Sequence, residues 1–268
     1  NHALLFTSFL GGAGGVNGAA GRVGSGEPLA ERVICDEAHT LEEAATKALE
    51  QRWEERALRR QLRALHDPEA RAGLTVACRR AFGLAAGDGA LVGLGEAVES
   101  ARAALDSLAN RLHRYAADQT VVSREDLERY GVRVSIDGTA LSAAGGPALR
   151  TAAETMGEAL QALRNALEAL VTPLSAALPE AGGDPTGRRR RRGVRLGRAL
   201  LRDLCSAEQQ YRWFWSFRDA SRTVRVVELE RSGRQAAPSG RGRAPVVLTG
   251  VPINVGPLLW QHVWSRLD

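Results

Sequence analysis

The chain has 268 residues, of which 44% are apolar, and a formal net charge of +5. That size allows one large domain or two smaller ones, each with a packed core. It contains no apolar run of about 18 residues, so the sequence predicts no membrane-spanning segment. The three cysteines, Cys35, Cys78 and Cys205, lack metal-binding spacing, and so sparse a count favours a reducing, cytoplasmic location.

The N-terminal segment begins at Asn1 and lacks the charged-then-apolar pattern of a secretory signal, so we expect an internal fragment of a longer protein. Ala3 to Leu10 is a short helix candidate. The stretch from Gly11 to Gly26 holds eight glycines and predicts a flexible loop. A phosphate-binding loop is the less favoured interpretation, because the strand before it and the helix after it are missing.

The most informative stretch follows, where an apolar run meets two carboxylates. Residues 33–35 lead into Asp36 and Glu37, and a capping box formed by Thr40 and Glu43 then starts a helix. The pattern predicts a strand, a sharp turn and a helix. Because ligands collect at the carboxyl ends of strands in open α/β sheets, the placement suits nucleotide chemistry. An exposed acidic turn that only caps a helix is the alternative.

Three segments resemble the iron–sulfur helicases of the XPD and DinG type. Asp36-Glu37-Ala38-His39, with the helix start after it, resembles the Walker B segment, or DEAH box, of that family. Residues 1–5 are similar to its Asn-His-x-Leu-Leu segment. Residues 251–259 resemble its Pro-hydrophobic-Asp-Val-x-x-Leu-Leu segment, with Asn254 in place of Asp. The segments occur in the family's order, whereas the region between them matches only in being long and helical.

The resemblance implies part of an ATP-dependent DNA helicase that couples ATP hydrolysis to 5′→3′ movement on single-stranded DNA. The sequence leaves the oligomeric state open, and a monomer is the favoured expectation. In that scheme Asp36 binds the Mg²⁺ of Mg·ATP, Glu37 activates the attacking water, and His39 couples hydrolysis to movement. Asp36 and Glu37 are thus the expected cofactor-binding carboxylates. The family's iron–sulfur cluster is held by cysteines that precede the Asn-His-x-Leu-Leu segment, so its ligands are not expected in this chain.

The resemblance also implies a domain organisation. Residues 1–45 would belong to the first RecA-like motor domain, residues 46–222 would form a helical arch-like insertion, and residues 223–268 would return to the motor domain. The predicted fold class is therefore mainly α with a few β-strands, as part of a RecA-like α/β motor domain interrupted by a helical arch-like insertion.

A single lysine limits what the chain can do alone. Lys47 lies inside the helix after the box, so no Gly-x-x-x-x-Gly-Lys-Ser/Thr phosphate loop is present. We therefore expect half of an ATP site and an inactive fragment. The alternative is a non-enzymatic helical module, a helicase remnant that binds nucleic acid or a protein partner. A phosphate-loop lysine and cluster cysteines in the upstream coding sequence would distinguish the two.

Helical patterns dominate the middle of the chain. A long helix is expected at 40–66 and a shorter one at about 68–82. Two later segments carry apolar residues at spacings of three and four, which favours an antiparallel hairpin packed as a core over a partner-binding groove. The first seam is Leu91, Leu94, Val98, Ala101, Leu105, Leu108, Leu112 and Tyr115, and the second is Leu149, Ala153, Met156, Leu160, Leu163, Leu167, Leu170 and Leu174.

A few short elements interrupt the helical pattern. Between the seams, residues 123–127 predict a capped helix, and residues 132–136 alternate like a strand. Asp137-Gly138 signals a turn after that strand, so we expect a small β-ribbon at the tip of the hairpin. Further on, residues 223–230 and 246–253 predict an antiparallel pair of strands.

Residues 181–193 predict a loop that carries an arginine tract. The tract is Arg188, Arg189, Arg190, Arg191 and Arg192, with Arg195 and Arg198 close behind. A run of like charges stays solvated, which is one interpretation. The other is a surface that contacts nucleic-acid phosphates, and the sequence alone weights the two evenly.

The helix expected from Leu196 to about Phe217 ends in a cluster of aromatic residues. Its members are Tyr211, Trp213, Phe214, Trp215 and Phe217. Adjacent aromatics point all round a helix, and most of them should be buried. A hydrophobic joint between the insertion and the motor domain is therefore favoured over stacking on unpaired bases.

Overall fold

The computed structural model describes residues 41–120, 131–142, 145–178, 185–217, 223–230 and 244–256. These residues form a mainly helical structure with a small four-stranded antiparallel sheet, which confirms the coarse fold class. The helices are α1 (Leu41–Leu49), α2 (Glu55–Leu65), α3 (Leu74–Phe82), α4 (Gly89–Gln119), α5 (Gly146–Ala176) and α6 (Pro185–Ser216). The strands are β1 (Gln51–Glu54), β2 (Val132–Ser135), β3 (Thr223–Leu229) and β4 (Val246–Pro252). The predicted glycine-rich loop and the helix at 123–127 lie outside the described residues.

The contact between α4 and α5 forms the centre of the helical part. All eight residues of the second seam are buried, and so are all residues of the first except Tyr115, which is half-buried. The predicted core role of the seams is therefore confirmed. Asp88 caps the start of α4, where its carboxylate accepts hydrogen bonds from the backbone N–H groups of Ala90 and Leu91.

Contacts near the ends of the two helices fix their directions. Tyr115, close to the end of α4, donates a hydrogen bond to the carbonyl of Ser135 in β2. Near the start of α5, the carbonyl of Ala153 accepts one from Tyr211, whose ring packs against Trp53 of β1. The end of α4 and the start of α5 thus both lie beside the sheet. The hairpin is antiparallel, as predicted.

Helix α6 adds a third antiparallel member to this bundle. Its Gly197 lies against Val171 near the end of α5, whereas its Tyr211 reaches Ala153 near the start of α5. Helix α3 packs along the first half of α6, where Leu74 also approaches Gly197. No helix among the described residues is long and apolar enough to cross a membrane.

The sheet has the strand order β1-β4-β3-β2, with every pair antiparallel. β3 and β4 pair over their full lengths, which confirms the predicted strand pair. Trp53, Leu248 and Val227 align across three strands and are all buried, so this face is packed. The strand predicted at 132–136 is present as β2, which is an edge strand of the same four-stranded sheet rather than part of a small ribbon at the hairpin tip.

The sheet unites strands from two of the predicted domains. β1 and β2 lie within residues 46–222, whereas β3 and β4 lie within residues 223–268. All four strands contribute to one hydrophobic core with the helices. The division at residue 222 stays a prediction, and the described residues on its two sides are packed together around this core.

The aromatic cluster joins the end of α6 to the sheet. Trp213 lies over Gly250 of β4, at a site where a Cβ atom would overlap its ring. Arg225 of β3 is 2% exposed, and its guanidinium lies 5.0 Å from the ring centres of both Trp213 and Phe217. Its Nε donates a hydrogen bond of 2.8 Å to the carbonyl of Phe214. The aromatics are therefore packed between α6 and the sheet, as their predicted burial implies, whereas their position between an insertion and a motor domain stays a prediction.

The predicted single helix at 40–66 is divided by a strand. α1 ends at Leu49, and β1 follows at Gln51–Glu54 before α2 begins. Pairing of β1 with β4, and burial of Trp53 against Tyr211, stabilise the extended conformation. Helix propensity is a weak preference that such tertiary contacts override.

The next helix begins later than predicted. α3 starts at Leu74 rather than near residue 68, because residues 67–72 form a turn closed by paired backbone hydrogen bonds between Asp67 and Ala72. Gly73 follows with a φ angle of +103°, which glycine adopts without the strain of a Cβ atom. The chain therefore cannot enter the helix before this residue.

The close approach of Trp213 to Gly250 predicts a specific effect on stability. Gly250→Ala forces the indole or the strand to shift, and we expect the free energy of unfolding in urea to fall by about 1–3 kcal/mol. As a control, Gly93 in α4 has open space at its Cβ position, so Gly93→Ala should raise stability by about 0.5–1 kcal/mol. Equal stability of Gly250→Ala and the parent would contradict the described joint.

Candidate nucleic-acid interface

The arginine tract lies on a helix. The predicted loop at 181–193 was wrong, because α6 begins at Pro185 and includes all five arginines of the tract. Proline suits the first position of a helix, where its missing N–H costs no hydrogen bond. The stretch from Pro185 to Arg202 contains eight arginines and no Asp or Glu, so the first half of α6 is uniformly basic.

The inner side of this half-helix is made of small and apolar residues. They are Gly187, Gly193, Val194, Gly197 and Leu200, all buried. Gly193 faces the thiol of Cys78 and the ring of Phe82 on α3, and Gly197 has no room for a Cβ beside Val171. Gly197 therefore allows α6 to lie close to α5 despite the charges on its other side, whereas a Cβ atom at Gly193 would make ordinary contacts with α3.

Five exposed arginines lie together on the outer side of α6. We call Arg188, Arg192, Arg195, Arg198 and Arg202 the arginine ridge; all five are exposed. Their spacings of four, three, three and four residues place them within an arc of about 120° around the helix axis. At about 1.5 Å per residue the ridge is roughly 21 Å long.

Arg190 is separate from the ridge and has a structural role. Its Nε donates a hydrogen bond of 3.1 Å to the carbonyl of Ala81, and its guanidinium lies 5.6 Å from the ring centre of Phe82. Ala81 is in the last turn of α3, where carbonyls lack helical partners. Arg190 thus fastens the end of α3, which brings the exposed Arg79 and Arg80 to the same end of the bundle.

The charge environment of the ridge is one-sided. Within the described part of the chain, no carboxylate pairs with Arg192, Arg195, Arg198 or Arg202. The first turn of α6 has no acidic residue, although the positive end of the helix dipole lies there. Repulsion among these like charges makes the surface favourable for an anion.

Along the described helix α6, the first acidic residue comes after the last arginine of the ridge. Asp203 is exposed next to Arg202, and Glu208 is 7% exposed further along α6. The carboxylate of Glu208 lies 2.9 Å from the guanidinium of Arg164 on α5 and 2.9 Å from that of Arg212. Because Glu208 neutralises these two guanidinium groups, the uncompensated positive charge on α6 is confined to the end of the bundle where the ridge lies.

The aromatic cluster offers no open platform for bases in the described structure. Tyr211 and Phe214 are buried, and Trp213, Trp215 and Phe217 are partly buried against the core. Burial also raises the pKa of the Tyr211 hydroxyl well above its usual value. The nucleic-acid candidate is therefore the ridge and not the aromatic residues.

The predicted ATP-site residues Asp36, Glu37 and His39 lie outside the described residues. The helix expected after them is present as α1, which contacts β4 and buries Ala45. Lys47 is exposed on that helix, where its Nζ lies 2.9 Å from a carboxylate oxygen of Glu43. The described residues contain no group of three or more His, Cys, Asp or Glu side chains that could hold a metal ion.

Comparison with protein-family models found no match, and comparison with curated proteins found none either. The resemblance to iron–sulfur helicases thus depends on residues 1–5, 36–45 and 251–259 alone.

The sequence interpretation missed Arg202 and the separate role of Arg190. The regular spacing from Arg188 to Arg202 becomes visible only when the region is treated as a helix from Pro185 onward. The partners of Arg190 on α3 are more than a hundred residues away in sequence, so no local pattern could indicate them.

Two single substitutions test whether arginines of the tract differ in their contribution to the free energy of unfolding. Arg190→Ala removes the bond to Ala81 and the contact with Phe82, so we expect the free energy of unfolding to fall by about 1–2 kcal/mol. Arg192→Ala, the matched control, should leave stability unchanged or raise it by about 0.2–0.5 kcal/mol by relieving repulsion. Urea unfolding followed by circular dichroism measures both. Equal changes in the free energy of unfolding for the two variants would contradict the assignment of Arg190 to a structural role and of Arg192 to the exposed ridge.

The two described cysteines should differ in reactivity. Burial raises the pKa of the Cys78 thiol to about 11, whereas Cys205 is exposed and its pKa is raised by partial burial. Because the thiolate is the nucleophile, only about one Cys78 in a thousand is reactive at pH 8. We expect iodoacetamide to label Cys205 first, as followed by peptide mass spectrometry. Labelling of Cys78 should increase as pH rises toward 11 or in urea; equal rates for both thiols in folded protein would contradict this.

Proposed function

We propose that the chain is part of an ATP-dependent DNA helicase that couples ATP hydrolysis to 5′→3′ movement along single-stranded DNA. The observation that carries the proposal is the segment Asp36-Glu37-Ala38-His39, which follows an apolar run and directly precedes α1. Helix α1 packs against β4, so the residues that follow the box belong to the sheet-containing body. The arginine ridge on the same body supplies charge of the sign that DNA requires.

The residues of the box have distinct roles in this proposal. Asp36 holds the Mg²⁺ of Mg·ATP, because Mg²⁺ keeps most of its waters and takes one or two carboxylates. Glu37 orients and polarises the attacking water. His39 relays the nucleotide state to the neighbouring segment, and from there to the described body through α1. ATP and Mg²⁺ are thus the cofactors.

The proposal assigns the rest of the motor to flanking sequence. With Lys47 as its only lysine, the chain relies on flanking residues for the phosphate-loop lysine, and in the resembled family the iron–sulfur ligands also precede this stretch. Residues 1–45 and 223–268 are proposed as parts of a RecA-like motor domain and residues 46–222 as its arch-like insertion. The protein acts as a monomer in the cytoplasm.

A second candidate is a non-enzymatic helical module that binds nucleic acid. The observation in its favour is the single hydrophobic core shared by the helices and all four strands, because a body of this kind needs no nucleotide to fold. The ridge gives such a module a binding surface without any ATP chemistry. The two candidates differ in whether Glu37 is required for turnover.

The ATPase test uses this chain and the same chain extended through its native flanking sequence. We expect DNA-stimulated ATP hydrolysis in the extended protein only, and Glu37→Gln in that protein should lower turnover at least about a thousandfold while ATP binding persists. Glu42→Gln, at an exposed position on α1, is the matched control and should keep full activity. Full-rate hydrolysis by Glu37→Gln would refute the catalytic assignment. DNA binding without ATP hydrolysis in the extended protein would favour the binding module.

A further inference from the structure

We infer that the arginine ridge binds one strand of nucleic acid along its length, through the phosphates and without reading the bases. The inference deepens the proposed function, because this strand is the one along which the motor would move. It requires no ATP chemistry, and the two proposals can therefore fail separately.

The packing of α6 leaves only its outer side open to a ligand. The inner side of α6 packs against α3 and α5. A nucleic-acid backbone that passes over the outer side can therefore place its phosphates against the arginine ridge.

The length of the ridge along one side of α6 favours a single strand over a duplex. Along roughly 21 Å, a duplex advances about six base pairs, which is more than half a helical turn. Each of its strands curves away from a straight line over that distance, and a duplex is too stiff to follow the line instead. A single strand is flexible and can place successive phosphates opposite successive arginines.

The residues between the arginines indicate that the bases are not read. Besides arginine, the exposed and half-exposed side chains of α6 from Arg188 to Arg202 are Leu196, Ala199 and Leu201. None of them is aromatic or can form bidentate hydrogen bonds with base edges. Guanidinium groups bind phosphate oxygens in a planar, bidentate way and stay charged at any physiological pH. Binding should therefore be independent of sequence and strongly dependent on salt.

The partner is nucleic acid rather than an acidic protein because of the regular charge spacing. The ridge has arginines at nearly every helical turn, and Leu196 at its margin is the one exposed leucine of the described helix α6. A protein partner would need buried apolar anchors to gain affinity. A strand with a phosphate at every residue needs only repeated charge.

The experiment compares two variants with the same loss of charge. The ridge variant carries Arg192→Gln, Arg195→Gln, Arg198→Gln and Arg202→Gln. The control variant carries Arg60→Gln, Arg63→Gln, Arg111→Gln and Arg114→Gln, all at exposed positions on α2 and α4. Both changes reduce the formal net charge from +5 to +1. Binding of a labelled oligothymidylate is measured by fluorescence anisotropy over a series of salt concentrations, without ATP or Mg²⁺.

We expect the ridge variant to lose about tenfold or more in affinity at low salt, while the control variant stays close to the parent. The slope of log K against log salt should decrease in magnitude by about 3, since each lost phosphate contact on a single strand contributes roughly 0.7. A ridge variant with Lys at the same four positions should recover most of the binding. Equal losses in the two glutamine variants would overturn the inference, because net charge alone would then explain binding.

Competition tests the identity of the strand. Unlabelled oligodeoxyadenylate and single-stranded RNA of the same length should compete about as well as oligothymidylate, whereas duplex DNA and polyglutamate of equal charge should compete more weakly. Equal competition by duplex or by polyglutamate would overturn the single-strand assignment. Because the glutamines remove repulsion, thermal unfolding of the ridge variant should occur at or above the temperature of the parent, which excludes misfolding as the cause of any loss.

Measurements of ATP turnover and of DNA binding can refute the motor proposal and the ridge proposal separately. In the extended protein, Glu37→Gln should abolish turnover and retain binding to oligothymidylate. Loss of binding in the ridge variant with intact binding in Glu37→Gln supports the ridge even if no ATPase is found. DNA-stimulated ATPase that persists at full rate in the ridge variant, at DNA concentrations near the Kd, would overturn the ridge and leave the motor proposal standing.

Discussion

The two-sided nature of α6 is the constraint on which the rest of the structure depends. Its inner side must lie against α3, α5 and the sheet, while the stretch from Pro185 to Arg202 carries eight arginines, whose charges must stay solvated or paired. Gly197 helps to meet this constraint, because a Cβ atom at this position would overlap Val171 of α5. Toward the other end, Tyr211 and Phe214 replace the glycines and fill the wider space beside the sheet.

Two buried charged residues, Glu55 and Arg225, stabilise contacts between secondary-structure elements through specific partners. Glu55 at the start of α2 accepts a hydrogen bond of 3.0 Å from the Val246 N–H in β4 and one of 2.8 Å from Arg59. Arg225 connects β3 to the end of α6, because its guanidinium lies between two aromatic rings and hydrogen-bonds to a backbone carbonyl. Removal of one member of such a cluster would leave a buried polar group uncompensated, which costs more than the bond itself contributes.

The predictions from the sequence were most accurate for elements with a repeated pattern of apolar residues that depends on neighbours in the chain. The seams of α4 and α5 repeat over many turns, so chance departures at residues such as Tyr115 do not hide the pattern. β1 was missed because its four residues gain their conformation from pairing with β4, about two hundred residues away. The basic tract was assigned to a loop on charge alone, since the packing contacts of Gly193 and Gly197 that offset repulsion cannot be seen locally.

Electrostatic repulsion within α6 suggests a reason why the ridge is made of arginine. Arginines at spacings of three and four repel by about 0.2–0.5 kcal/mol per pair, and the helix dipole adds to this near Pro185. Glutamine at these positions would keep helix propensity and solubility without that repulsion. A purely solvated face therefore gains nothing from five aligned arginines in a half-helix that has no acidic residue. A phosphate backbone reverses the sign of each repulsive contribution, so the same residues that destabilise the free helix stabilise it when a strand is bound.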